Sequence, residues 1–177
     1  RCWGTDRNYN MGLSVNATFN SPQTLHTGES FSQVIVNDQR ICALNSLNVM
    51  KCAGERHMGL MADGITSQLH SFSAVTGLDQ FSSLSFNGQY MSSGIKADGS
   101  LWTWGFGRTS SDYIGDASVQ EIVLSPQQIL ITTGSTFTKV SKGNQHTCAI
   151  RSDQKLYCWG FNSNGNVGDN TTTNRSL

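Results

Sequence analysis

Residues 143–160 read Gly143-Asn144-Gln145-His146-Thr147-Cys148-Ala149-Ile150-Arg151-Ser152-Asp153-Gln154-Lys155-Leu156-Tyr157-Cys158-Trp159-Gly160, and the folding of this stretch decides the architecture. Two short runs of β-branched, aromatic and small apolar residues, 147–151 and 156–159, flank Ser152-Asp153-Gln154 and read as the strands of a tight hairpin. Cys148 and Cys158 lie ten residues apart. With the hairpin centred on Asp153 they stand opposite each other on neighbouring strands. That is within the Cα separation a disulfide spans at a non-hydrogen-bonded site.

Working outward, the same pattern recurs. Cys2-Trp3-Gly4, Cys52-Ala53-Gly54, Thr103-Trp104-Gly105 and Cys158-Trp159-Gly160 place their glycines 50, 51 and 55 residues apart. Phe31, Phe81 and Phe137 follow with separations of 50 and 56. Two independent markers thus share a period of about fifty residues, the mark of a repeat architecture. The array divides as 1–30, the end of a first repeat; 31–80, a degenerate second; 81–136, a third; and 137–177, a truncated fourth. The turn is clearest at Asp98-Gly99. A three-residue hairpin loop wants its last residue in the left-handed region, which Gly99 accepts freely, Asn48 tolerates and Gln154 tolerates less well. Further short runs at 34–36, 40–44, 94–96, 101–104 and 138–140, bounded by Gly, Asn, Asp and Ser, make the chain all-β.

The cysteines keep the register. Cys42 and Cys52 are also ten apart, and in the third copy the same two positions hold Ser93 and Thr103, so both cysteines are lost together. The expected pairs are Cys42–Cys52 and Cys148–Cys158; the competing reading is two pairs of buried free thiols. A zinc knuckle has different spacing, and no metal is expected. Disulfides would place the protein in an oxidising compartment. Cys2 occupies the second position of a pair, and its mate falls eight residues before Arg1. It is expected to bond outside this segment, which reads as a window of about three and a half repeats from a longer chain.

Composition narrows the function. Twelve Lys and Arg balance twelve Asp and Glu, and charged residues are 14% of the chain. No basic run supplies the phosphate-neutralising footprint of a nucleic-acid binder, so no nucleic-acid partner is expected. No apolar stretch approaches the roughly 18 residues of a membrane span. His26, His57, His70 and His146 lie in different registers, and the patterns of hydrolase elbows, zinc helices and phosphate loops are missing, so no catalytic set and no cofactor is expected. Gly105-Phe106-Gly107 reads as a strand-end turn, and Asn162-Ser163-Asn164-Gly165-Asn166 as an Asn-Gly turn rather than a calcium loop. Asn16, Asn170 and Asn174 begin N-x-Ser/Thr sequons, which are glycosylation sites if the chain passes through a eukaryotic secretory pathway.

Residues 140–169 resemble a repeat of the regulator-of-chromosome-condensation family. Gly143, His146-Thr147-Cys148-Ala149-Ile150, Ser152-Asp153, Leu156-Tyr157-Cys158-Trp159-Gly160, Asn162, Gly165 and Val167-Gly168-Asp169 fall where that repeat has its typical residues. The third copy matches through Gly94-Ile95, Asp98-Gly99, Leu101, Trp102, Trp104-Gly105 and Gly115-Asp116. The second departs, with Ala53 in place of Trp and Asn37 in place of the early Gly. The resemblance implies blades of four antiparallel strands, part of a seven-bladed β-propeller. The cysteine pairs resemble the secreted subset of the family. Trp3, Trp104 and Trp159 are then expected in the core, and His146 as a hydrogen-bonded turn residue.

The function this implies is a non-enzymatic interaction module, extracellular, on a cell surface or periplasmic, that presents loops to a protein or glycan. The loops where the copies disagree most are 55–61, 108–112 and 116–121. Two other readings are a subunit of a surface appendage or filament built by self-assembly, and a guanine-nucleotide exchange factor for a small GTPase, against which the cysteine pairs and the missing basic surface both argue.

Overall fold

The computed structural model describes residues 1–25, 28–37, 40–55, 61, 63–65, 67, 69–75, 81–87, 91–106, 122–129 and 135–176. Apart from a 3-10 turn at Arg7–Tyr9, its regular elements are strands: β1 (Cys2–Thr5), β2 (Thr18–Gln23), β3 (Phe31–Asn37), β4 (Arg40–Asn45), β5 (Met50–Gly54), β6 (Leu69–Ala74), β7 (Phe81–Asn87), β8 (Met91–Lys96), β9 (Leu101–Phe106), β10 (Ile122–Gln128), β11 (Phe137–Lys142), β12 (His146–Arg151) and β13 (Leu156–Gly160). They form four antiparallel sheets in simple up-and-down order: β1-β2, β3-β4-β5-β6, β7-β8-β9-β10 and β11-β12-β13. This is the all-β, four-stranded blade architecture expected of the sequence.

Turn chemistry sets the second hairpin of each sheet. Asn48, Gly99 and Gln154 all have positive φ, at 59°, 81° and 67°. Each donates its N–H to the carbonyl three residues back, at Asn45, Lys96 and Arg151. Glycine takes this conformation without strain, whereas the Gln154 side chain makes it costly. Gln154→Gly is expected to stabilise the protein by about 1 kcal/mol, read as a rise in the midpoint of urea unfolding. At Gly99 the reverse holds, since a Cβ there would also come within 2.6 Å of the Thr136 Cβ.

Burial follows from stacking one sheet on the next. Cys42, Leu44, Met50 and Cys52 of the second sheet pack with Phe81, Leu84, Phe86, Met91 and Trp104 of the third. Ile95, Leu101 and Ile129 of the third pack with Phe137, Ala149 and Trp159 of the fourth. No blade of this size can hide both faces alone, so each sheet supplies the apolar cover for its neighbour. Trp104 and Trp159 are fully buried, as expected, but Trp3 is 66% exposed. The reason is its sheet. Trp104 has the Phe81 and Phe86 rings of its own blade at centroid distances of 5.6 and 6.0 Å, while beside β1 only β2 is described, and among the described residues no ring takes the place of those two. Ala53 stands in for Trp in the second sheet because the preceding loop lies directly on it. A Cβ at Gly12 would sit 2.8 Å from the Ala53 Cβ.

Candidate interaction surface

Up-and-down topology sorts the loops by end. The turn between the second and third strand of each sheet lies at one end, together with the connection to the next sheet. There Phe137 N–H donates to Gly99 O at 2.8 Å and Ser152 N–H to Thr136 O at 2.9 Å. The described residues after the third strands, 6–17 and 55, 61, 63–65 and 67, and the segment after β13, residues 161–176, lie at the opposite end. These are the long connections of the chain, and the copies disagree most in them. Loops displayed by a rigid sheet scaffold are the usual place for recognition. Of the variable stretches singled out by sequence, Glu55 and Met61 are described and buried, and residues 56–60, 108–112 and 116–121 lie outside the described residues. So do His26 and His57 and the side chain of His70.

Buried polar side chains anchor this end. Asn162 is fully buried; its Oδ1 accepts Val167 N–H at 2.9 Å, and its Nδ2 donates to Asp169 Oδ1 at 2.9 Å and to Thr173 O at 2.9 Å. The loop is thus folded around an amide. Asp6 plays the same part after β1, accepting Met11 N–H at 2.8 Å across the same five-residue step. Both residues come two positions after the glycine of the Trp-Gly pair, Gly4 and Gly160, a spacing that would have identified Asp6 from the sequence. Asp169 is held well below the usual carboxylate range, first by the Arg175 guanidinium and then by the Thr171 hydroxyl. Arg40, which opens β4, and Glu55, which follows β5, form a second buried charge group. Asn8 Nδ2 donates to Glu55 Oε1 at 3.3 Å, and the Arg40 guanidinium lies 5.6 Å from the Phe86 ring centroid. Burial pulls Arg40 down to about 10, with Glu55 opposing.

Sequence reading missed Lys142. It follows Phe86 by 56 residues, the offset between those two copies, and so occupies an apolar register. Its Nζ lies 2.5 Å from Thr147 Oγ1. A hydroxyl beside an amine is also the geometry of a nucleophile and its base, but both side chains are buried, so the contact is one of packing. Burial pushes the amine down to about 7 from its ordinary 10.5. Between those values the unfolded chain binds the proton and the folded one does not, so stability rises with pH from about 7 to about 10.5 and is lowest below. Lys142→Met is expected to flatten that rise and to add about 2 kcal/mol at pH 6, measured by urea unfolding across pH. Neighbouring His146 is likewise lowered, by burial and then by the Lys142 charge. Its ring lies over Gly143, where a Cβ would come within 2.3 Å, and its carbonyl accepts the Gly143 N–H at 2.9 Å.

The cysteines stand as follows. Cys42 lies directly opposite Cys52, and Cys148 directly opposite Cys158. In both pairs the sulfurs are 2.10 Å apart and the Cα atoms 4.1 Å apart. Ser93 faces Thr103 in the same register. Cys42 and Cys52 are sealed between two sheets, whereas Cys148 and Cys158 are half-buried. Cys2 has no cysteine opposite it among the described residues. Asn16 and Asn170 are exposed; Asn174 is half-buried, its Oδ1 accepting the Asn162 N–H at 3.0 Å. No described helix is long and apolar enough to cross a membrane.

Antiparallel sheets stacked face to face, two of them with four strands, and each carrying a tryptophan or its substitute before a glycine in the same register, define a run of β-propeller blades. The particular kind is set by the fourth copy: residues 137–166 match the model of the Regulator of chromosome condensation (RCC1) repeat. It is 36% identical over 45% of its length to the X-linked retinitis pigmentosa GTPase regulator homolog of Caenorhabditis elegans, and covers 6% of that protein. It is 35% identical over 42% of its length to the ultraviolet-B receptor UVR8 of Arabidopsis thaliana, covering 16% of it. Over 98% of its length it is 24% identical to the mouse probable E3 ubiquitin-protein ligase HERC4, covering 17% of it. Among solved structures it superposes on human WBSCR16 with a TM-score of 0.82 at 18% identity, over 98% of this chain and 45% of that one. On yeast RCC1 (Prp20), solved bound to Kap60, the TM-score is 0.75 at 17% identity, over 99% and 42%. The chain therefore spans a small fraction of the curated relatives it matches and under half of these propellers.

Proposed function

We propose that the chain is an extracellular interaction module, a disulfide-braced set of propeller blades that binds a protein or glycan through its long-loop end and catalyses nothing itself. The observation that carries this reading is the cross-strand placement of both cysteine pairs, in one register and absent together from the intervening sheet. Such pairs persist where thiols are not kept reduced. The curated relatives differ in activity, and what they share with this chain is the propeller, a scaffold suited to protein recognition. The test is a photo-reactive side chain at Asn164, in the long-loop end, with the protein held outside the cell. It is expected to capture a defined protein or glycoconjugate there, more than the same group at Asp98 in the opposite end. Capture of a small GTPase from nuclear extract instead would replace this reading with the exchange-factor one.

Glycosylation gives a second check. Produced in a eukaryotic secretory pathway, the protein is expected to carry N-glycans at the exposed Asn16 and Asn170 and to carry less at Asn174. Peptide mapping after enzymatic deglycosylation measures this. Full occupancy at Asn174 alone would contradict it.

A further inference from the structure

The loop after β1 and the loop after β13 are built alike. Gly4 pairs with Phe19 and Gly160 with Arg175, fifteen residues on in both cases. Gly12 and Gly168 have φ of 71° and 76°, and donate their N–H to the carbonyls of Tyr9 and Gly165. Asp6 therefore stands where Asn162 stands, and the Oδ1 of each accepts the backbone N–H five residues on. The two differ in the other atom of the side chain. Asn162 Nδ2 donates to Asp169 Oδ1, Thr171 O and Thr173 O at 2.9 to 3.0 Å. Asp6 Oδ2 is fully buried and has no hydrogen-bond partner among the described residues. Every partner of the Asn162 amide belongs to its own loop, so this position is served from within the loop and not by the other strands of the sheet. A buried carboxylate is ordinarily paired or coordinated to a metal.

We infer that the loop opening at Asp6 binds a calcium ion through the Asp6 carboxylate, with Glu55 of the next sheet bringing a second carboxylate. Asp6, Asn8 and Asn10 fall at the first, third and fifth places of an oxygen-rich stretch, the spacing at which calcium loops carry their side-chain ligands. Asn162, Asn164 and Asn166 repeat that alternation with an amide in the first place, so that loop folds around its own Nδ2 and needs no ion. The 3-10 turn Arg7–Tyr9, which carries Asn8, packs against β5 and β6. There Asn8 Nδ2 donates to Glu55 Oε1 at 3.3 Å and ties the buried Glu55 carboxylate to the loop. The stretch departs from the calcium loop of paired helices in two respects. Gly12 comes one place later, and Ala17 stands where that loop has its closing glutamate, the part Glu55 takes from the neighbouring sheet. Oxygen donors suit a hard cation, and magnesium, which demands a near-ideal octahedron and keeps its waters, fits them less well. Two carboxylates, one of them also beside Arg40, set the affinity near the weak range of extracellular calcium modules, about 10⁻⁴ to 10⁻³ M. The ion would clamp the loop after β1 onto the second sheet, whatever partner the long-loop end binds.

Calcium alone is the probe. Equilibrium dialysis against radioactive calcium is expected to show one ion per chain, with half-saturation between about 10⁻⁴ and 10⁻³ M. The midpoint of thermal unfolding is expected to rise with calcium and to stay flat with magnesium at the same concentration. Asp6→Asn is expected to abolish both the uptake and the rise. In chelator the same variant is expected to unfold at a higher temperature than the parent, because the new amide donates where Asn162 does. Glu55→Gln keeps the shape and the Asn8 contact, and is expected to weaken uptake by roughly tenfold or more, since one charged ligand is lost. Asp98→Asn, at the opposite end, is expected to leave it unchanged. Calcium uptake that survives Asp6→Asn or Glu55→Gln undiminished, or no uptake at millimolar calcium, would overturn the inference. So would an Asp6→Asn chain that unfolds below the parent in chelator, since Oδ2 would then be held by donors of the protein itself.

Discussion

Trp104→Ala is expected to cost about 4 kcal/mol of stability, while Trp3→Ala stays within about 0.5 kcal/mol. The two residues occupy one register of the repeat, so the contrast measures what sheet stacking contributes. Trp104 is fully enclosed by Phe81, Phe86 and the facing second sheet, and truncation there leaves a cavity that close-packed strands cannot collapse to fill. Trp3 is largely solvated. Urea denaturation of the two variants decides the matter. Equal losses would mean that the stacking of the second and third sheets is not what buries the ring.

Removing the Cys42–Cys52 pair by a double change to alanine is expected to cost about 4 kcal/mol. In the loop-entropy account a bridge across so short a loop contributes somewhat under 3 kcal/mol, and the cavity left by two buried sulfurs adds about 1. The same change at Cys148 and Cys158 is expected to cost less, because those sulfurs are half-buried and solvent can fill their place. Thermal unfolding of both variants, with and without reductant, tests the order. Reductant should lower the parent and each single-pair variant further, and leave a chain without either pair unmoved.

The features legible in the sequence are those that short-range chemistry fixes. Strand alternation, the turn residues Asn48, Gly99 and Gln154, and cysteines ten apart are each decided within a dozen residues, and the structure has the strands, the positive φ values and the facing sulfurs where the spacing puts them. Exposure of Trp3 was not legible, because burial in this fold comes from the neighbouring sheet and the repeat register says nothing about whether that cover is present. Lys142 was legible in principle through its alignment with Phe86, but net-charge counting hides a single lysine placed in an apolar register. Asp6 escaped for a related reason: an acid replaces the amide that the fourth copy uses for the same loop anchor, so matching by residue identity passes over it.

The central claim is that these blades are braced by two cross-strand disulfides suited to an oxidising compartment. Its most direct test is disulfide mapping of the protein isolated from its source with thiols alkylated at lysis, by mass spectrometry of unreduced peptides. The account predicts a Cys42–Cys52 link and a Cys148–Cys158 link, with Cys2 joined to neither. Alkylated thiols at all four of those positions, or links that cross between the two hairpins, would contradict it.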